Sequence, residues 1–245
     1  MRLLIILLLF TPSTLFAQEG TIEYSAEFEM QMPSIEMVME NLPPGIPLDS
    51  AMIEQGMKMF SQFQNQIQAI PMLMNYSRST SLLTFDLPAS ATNTPLGVIL
   101  SYPSTFTDYT EGKTLSAVQN FDGDDYIIVD EFEPLDWVFM ERDNTILNYP
   151  VKQVTFSSDT LNVMAWYAPQ IASAAGPLAF GGLPGLPLMI MSSFSSEDSP
   201  NFEMNFSAVR LEEGTVEPFS RPKGELITRE EWMKMMLQNI NPFQQ

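Results

Sequence analysis

The stretch TIEYSAEFEMQM, residues 21–32, alternates without a break. Ile22, Tyr24, Ala26, Phe28, Met30 and Met32 fall on one side; Glu23, Ser25, Glu27, Glu29 and Gln31 fall on the other. A period of two puts successive side chains on opposite faces of an extended chain. The segment is therefore a strand with one buried face and one wet face, which suits an antiparallel sheet with its core on one side.

The second half of the chain repeats this demand. The runs DYIIVDEF, DWVFMER, PVKQVTF, LNVMAWYA, LPLMIMSSF and NFEMNFSAVRL are short and strand-like, and FDGDD, FSSDT and SSEDSPN punctuate them. Consecutive short strands with close turns predict an antiparallel meander. Leu83, Phe85 and Leu87 alternate in the same way before Pro88. Residues 88–115 are rich in Ser, Thr and Pro and read as a long connection, with room for a strand near Val98–Tyr102.

Two segments have helical spacing. After a Pro-broken loop at 33–49, Asp49 or Ser50 caps a helix running to about Ile67, with Ile53, Met57, Phe60, Phe63 or Gln64, and Ile67 on one face. At the other end, ITREEWMKMMLQN carries a full start signal. Thr228 and Glu231 make a capping box, and Ile227 and Trp232 stand where a hydrophobic staple forms. The expected architecture is α+β: one curved antiparallel sheet, a helix inserted after the first strand, and a C-terminal helix.

The N-terminus, MRLLIILLLFTPSTLFAQEG, has one positive charge at Arg2, an apolar run Leu3–Phe10, and Leu15-Phe16-Ala17 before the polar sequence. This is the layout of a signal peptide over 1–17, cleaved after Ala17, and residues 18–245 then form a single domain. No Cys follows the apolar run, so the expected product is exported to the periplasm or cell envelope and is not a lipoprotein. No later run is long enough to predict a transmembrane helix.

Composition closes off several chemistries. The net charge of −19 repels phosphate backbones, which argues against a nucleic-acid partner. The chain has no Cys and no His, so mechanisms built on a thiolate or an imidazole are closed, and a non-catalytic role with no cofactor is expected. There is no G-x-S-x-G, P-loop or dinucleotide fingerprint. The acidic run Asp122, Asp124, Asp125, Asp130, Glu131 and Glu133 lacks calcium-loop spacing, and its Asp-Gly pair marks a tight turn. Methionine is abundant between Met30 and Met74, including MQM, MVM, MKM and MLM. Thioethers fill irregular cores, line adaptable apolar cavities, or bind Cu(I), and all three readings stay open, although no metal site is assigned.

The stretch GPLAFGGLPGLPLMI, 176–190, interleaves turn residues with core residues. Gly176, Pro177, Gly182, Pro184 and Gly185 dictate the backbone, and Phe180, Leu183 and Leu186 then need burial. They plug the open side of the sheet, line a cavity, or touch a partner. Trp166 and Tyr167 are neighbours in a strand, so one reaches the core and the other the opposite face.

These residues also carry a resemblance. AWYAPQI at 165–171, GP at 176–177 and FGGLPGL at 180–186 resemble the GLPGLI family of exported bacterial proteins. DWVFMERDNTILNYPVKQVTF at 136–156 is similar to the family's tryptophan strand and hairpin, and Gly224–Glu231 is similar to its closing motif. Val151 stands where the family's hairpin often has Cys, and Pro187 replaces the motif's final Ile. That proline predicts a strand that starts late or lies at an edge. The resemblance implies export in Gram-negative bacteria and a layout similar to the half-barrel of periplasmic lipoprotein carriers; it implies no reaction. The expected function is a binding or carrier-like protein for an apolar ligand, walled by Trp166, Tyr167, Phe180, Leu183, Leu186, Met57, Phe60 and Phe63. The alternatives are an accessory protein of an outer-membrane transport system, with a cell-envelope protein as partner, and a Met-rich Cu(I) binder.

Overall fold

The computed structural model describes residues 19–30, 69–85, 104–119, 123–196, 199–216 and 219–240, together with 51, 53–55, 57–58 and 61. It is mostly β. The strands are β1 (Gly20–Met30), β2 (Ile70–Tyr76), β3 (Thr80–Phe85), β4 (Ser104–Asp108), β5 (Lys113–Gln119), β6 (Asp125–Glu131), β7 (Val138–Ile146), β8 (Tyr149–Ser157), β9 (Leu161–Ala168), β10 (Leu186–Ser196), β11 (Ser199–Glu213) and β12 (Glu225–Ile227); the helix α1 (Arg229–Ile240) follows. All twelve strands join in one sheet, in the order β12-β6-β5-β4-β3-β2-β1-β11-β10-β9-β8-β7. Two meanders, β1–β6 and β7–β11, are thus sewn together where β1 pairs antiparallel with β11. One pairing departs from the antiparallel expectation: β12 lies parallel to β6, so the sheet is mixed.

The link between the meanders forces curvature. β6 and β7 stand ten positions apart in the sheet, yet only residues 132–137 join them. Ten strand spacings measured along the sheet come to about 48 Å. Seven chain steps span at most ~25 Å. The sheet must curl until its two edges approach each other. Leu135 and Trp137 of the link accordingly pack against the main core.

The curl defines an inner face. Cross-strand register places Ile22, Met74, Leu83, Thr105, Ser116 and Ile128 in one row across β1–β6. On the other meander, Phe206, Ile190, Ala165 and Val154 form the matching row. Strand β2 shows the alternation plainly, with Ile70, Met72, Met74 and Tyr76 buried and Pro71 and Leu73 exposed. Met72 and Met74 therefore act as core residues.

Several expectations need correction. Residues 88–115 are not all connection, because they contain β4 and the start of β5. Their Ser and Thr residues alternate on pleated strands, where they read in sequence as loop composition. The possible strand at 98–102 lies outside the described residues. Pro187 neither delays β10 nor puts it at an edge. The strand begins at Leu186 between β9 and β11, and Pro187 sits beside a register shift, where a missing N–H is tolerated. The β7–β8 hairpin turns through Leu147 (φ 50°) and Asn148 (φ 66°), the left-handed pair of a type I′ turn.

Residues 51, 53–55, 57–58 and 61 are helical, in the segment expected to hold the inserted helix; Ile53 is buried and Met57 half-buried. Phe60 and Phe63 lie outside the described residues. At the C-terminus the capping box is complete. The Thr228 hydroxyl accepts the Glu231 N–H at 3.1 Å, and the Glu231 carboxylate accepts the Thr228 N–H at 3.0 Å. Trp232 packs with Val118 and Ile128, and Ile227 joins them, so the staple seats α1 on the inner face of β5 and β6. Among the described residues no helix is long and apolar enough to cross a membrane. Thr228→Ala should lower unfolding free energy by about 1 kcal/mol; urea denaturation followed by tryptophan fluorescence would report it, since Trp232 undocks with the helix.

Candidate functional site

Among the described residues, the motif stretch is the longest irregular segment. It leaves β9 at Ala168, and Leu186 N–H returns to the Ile171 carbonyl at 3.1 Å, closing the excursion at its base. Between these ends the chain crosses the mouth of the curl. Gly182 N–H donates to the Ala174 carbonyl at 2.8 Å, and Ala174 N–H donates to the Arg78 carbonyl at 3.2 Å. The Ser173 hydroxyl donates to the Ser77 carbonyl at 2.5 Å, and Tyr24 donates to the Pro187 carbonyl at 2.6 Å. The loop's backbone polar groups thus find partners, as burial requires.

Its side chains fill the interior. Phe180 is 2 % exposed and Leu183 3 %, while Leu186 and Ile171 are fully buried. The Phe180 ring lies 5.9 Å from that of Phe206 on β11. The loop is a plug. Gly176 and Gly185 are buried because the chain passes itself closely there: a Cβ on Gly185 would come 2.8 Å from Pro169 Cα. Gly182 has φ 80°, and a Cβ on it would meet Pro134 Cβ at 2.6 Å, which ties the plug to the β6–β7 link. Pro177 is buried and Pro184 exposed.

Of the proposed cavity wall, the structure brings Tyr167, Phe180, Leu183 and Leu186 into one packed core. Trp166 points to the opposite face from Tyr167 and is half-buried. Met57 is half-buried, and among the described residues it does not join that core cluster.

Tyr109 holds the plug to the sheet. Its hydroxyl lies 3.0 Å from Ser81 Oγ, donates to the Gly176 carbonyl at 3.3 Å, and accepts the Gly176 N–H at 3.1 Å. Burial pushes its pKa up, and burial likewise raises Tyr24 and Tyr76. Tyr149 is raised to about 12 because its hydroxyl donates to the Glu213 carboxylate at 2.7 Å.

Past the plug the inner face changes chemistry. The row that begins Ile22, Met74, Leu83 continues into Thr105 and Ser116. The next row runs Tyr76, Ser81, Thr107, Thr114 and Asp130. Ser81, Thr105, Thr107 and Ser116 are all buried. A cleft of about 430 Å³ opens over this strip, between the plug and the start of α1. Thr105, Thr114 and Ser116 form its floor; Leu178 and Ala179 of the plug and Phe132 of the link form its walls. Arg229 closes one end in an ion pair with Asp130 at 2.6 Å. Leu178 holds φ 52°, an unfavourable conformation for a bulky residue, at the cleft wall.

Sequence reasoning missed this cleft. Its signal was present in KTLSAVQ, where Thr114, Ser116 and Val118 share a face, but only the register with β4 and β6 shows that this face is the inner one. Among the described residues no three carboxylates gather to hold a metal ion.

Two stability outcomes follow. Leu183→Ala should cost roughly 2–5 kcal/mol, and Gly182→Ala should cost about 1 kcal/mol or more, both read from chemical denaturation. Alkali should also act through the buried tyrosines. An unfolded tyrosine releases its proton near pH ~10, whereas the folded chain holds these protons to higher pH. Their contribution to stability is therefore intact below about pH 10 and drains away as pH climbs through the folded values. Tyrosinate absorbance from the buried groups should rise only together with loss of the β signal in circular dichroism. Half-buried Tyr149 should titrate separately, and earlier in Glu213→Gln.

Comparison with known proteins supports the fold and stops there. A family model described as a protein of unknown function (Porph_ging) matches residues 118–189, which run from β5 through the plug to β10. No curated protein sequence matches. Seven chains of solved structures do. One structure of PNGF-II, in a C2 space group, has a TM-score of 0.56 at 12 % identity, covering 91 % of this chain and 33 % of that one. A second, in P21, has a TM-score of 0.54 at 13 % identity, covering 91 % and 34 %. The chain thus spans about a third of the length of the solved chains it matches. At these identities the likeness is one of architecture alone, and the curled sheet with its plug belongs to a chain similar over residues 118–189 to that uncharacterised family.

Proposed function

We propose that the protein is an exported, non-catalytic binding protein of GLPGLI type, and that it holds a small ligand in the cleft between plug and helix. The carrying observation is the cleft itself. It is concave, sits on a rigid sheet, falls in the range of roughly 300–1,000 Å³ usual for ligand sites, and has polar groups converging on its floor. The apolar interior offers less, because Phe180, Leu183 and Leu186 already occupy it. The same burial removes the motif loop's apolar side chains from the surface that an outer-membrane partner would touch. The signal-peptide layout of residues 1–17 supports export.

Native mass spectrometry of protein taken from its own cell envelope tests the reading. The mature chain should begin at Gln18 and carry a non-covalent small molecule. Ala179→Trp, which fills the cleft from an exposed wall position, should lose that molecule while keeping its melting temperature. Identical bare masses for wild type and variant would end the proposal.

A further inference from the structure

The cleft also constrains what its ligand can be. Building on the binding reading above, we infer that it selects a neutral, polyhydroxylated ligand, a saccharide. The floor of the cleft is made of hydroxyls. Thr105 and Ser116 are 8 % and 6 % exposed, yet their hydroxyl oxygens stand 3.5 Å apart; beside them the half-buried Thr114 hydroxyl stands 3.3 Å from that of Thr107, which also bonds Tyr109. Good O–H···O bonds are about 2.7–2.8 Å. The Thr105 and Ser116 hydroxyls therefore satisfy one another poorly. One of the pair keeps its proton to donate and both keep lone pairs to accept, which is the capacity a sugar hydroxyl matches. An apolar ligand seated here would strand them.

Asp130 is the carboxylate on the inner row, and Arg229 neutralises it, with Nη2 at 2.6 Å and Nε at 3.4 Å from its two oxygens. Glu131 and Glu133 are exposed at the rim. Anionic ligands meet a chain of net charge −19 and no unneutralised cation in the lining. Cationic ligands meet an inner carboxylate that is already paired, and further negative charge only at the rim, at Glu131 and Glu133. Three carboxylates and one guanidinium give the lining a net charge of −2 (1 − 3), carried at the exposed rim by Glu131 and Glu133, while the floor of Thr105, Thr114 and Ser116 is polar and uncharged.

Phe132, Leu178, Ala179 and the threonine methyls give flat apolar surface beside the hydroxyls. Sugar rings present the same mixture, with C–H faces between equatorial hydroxyls, and an aromatic side chain such as Phe132 takes the C–H face. The ring of Phe132 is itself fixed edge-on against Tyr109, with centroids 4.9 Å apart, so the wall is preorganised.

Isothermal titration of mature protein against cellotriose, maltotriose, mannotriose and chitotriose, with spermidine, inorganic phosphate and palmitate as the other arms, decides the matter. At least one trisaccharide should bind. Thr105→Val with Ser116→Ala, which removes hydroxyls and keeps shape, should weaken it about tenfold, and Ala179→Trp should abolish it. Unchanged melting temperatures certify the fold of both variants. Binding of palmitate, spermidine or phosphate in place of every sugar, lost in Ala179→Trp, would overturn the saccharide class and leave the binding reading standing. Sugar binding indifferent to both variants would overturn the site. Silence in every arm, with no co-purifying molecule, would overturn both readings.

Discussion

Six residues between β6 and β7 govern this molecule. A sheet of twelve strands could lie open, but a link that short cannot reach from one end of an open sheet to the other. The sheet has to curl, and curling makes an inner face that, among the described residues, no second sheet covers. Something from the chain itself must fill it, because exposed apolar rows on such a surface would be unstable in water. Among the described residues, the plug and α1 carry much of that task. The plug covers the apolar rows of β1–β2 and β9–β11, and α1 covers Val118 and Ile128 at the far end.

The composition of the motif follows from that task. A helix satisfies its own backbone and a strand pairs with its neighbours, but neither could cross the mouth of the curl and drop Phe180, Leu183 and Leu186 inward at irregular intervals. An irregular loop can, provided that its buried N–H and C=O groups find partners. The sheet supplies them at Arg78, Ser77 and Tyr109, and the loop supplies others to itself. The glycines let the chain pass within contact of Pro134, Pro169 and its own backbone. Plug and link are thereby locked together, so the element that fills the curl also braces the link that causes it.

The division of labour leaves a gap. Between plug and helix the inner face is lined by hydroxyls rather than by Leu and Met, and there the cleft opens. A wholly apolar row would have demanded a cover. A strip of Ser and Thr tolerates water or a polar guest, which explains why the structure can leave it uncovered. The candidate site thus arises where the fold stops needing a plug.

Local patterns determined a good deal. The alternation of 21–32, the capping box at Thr228 and Glu231, the staple of Ile227 and Trp232, and the opposed faces of Trp166 and Tyr167 are all legible, because each depends on neighbours within a few residues. The strand train from β6 to β11 was legible for the same reason. Tertiary structure decided the rest. Strand β4 hid among Ser and Thr because its partners, not its composition, make it a strand. Pro187 escaped the edge only because a register shift beside it spared the ladder. Sequence left the motif loop open as plug, wall or interface; its burial against Phe206 needs residues 26 positions away to arrive from another strand. The hydroxyl cleft is the most remote from sequence. It is assembled from β4, β5, β6, the plug and α1, and no stretch of the chain contains enough of it to be read.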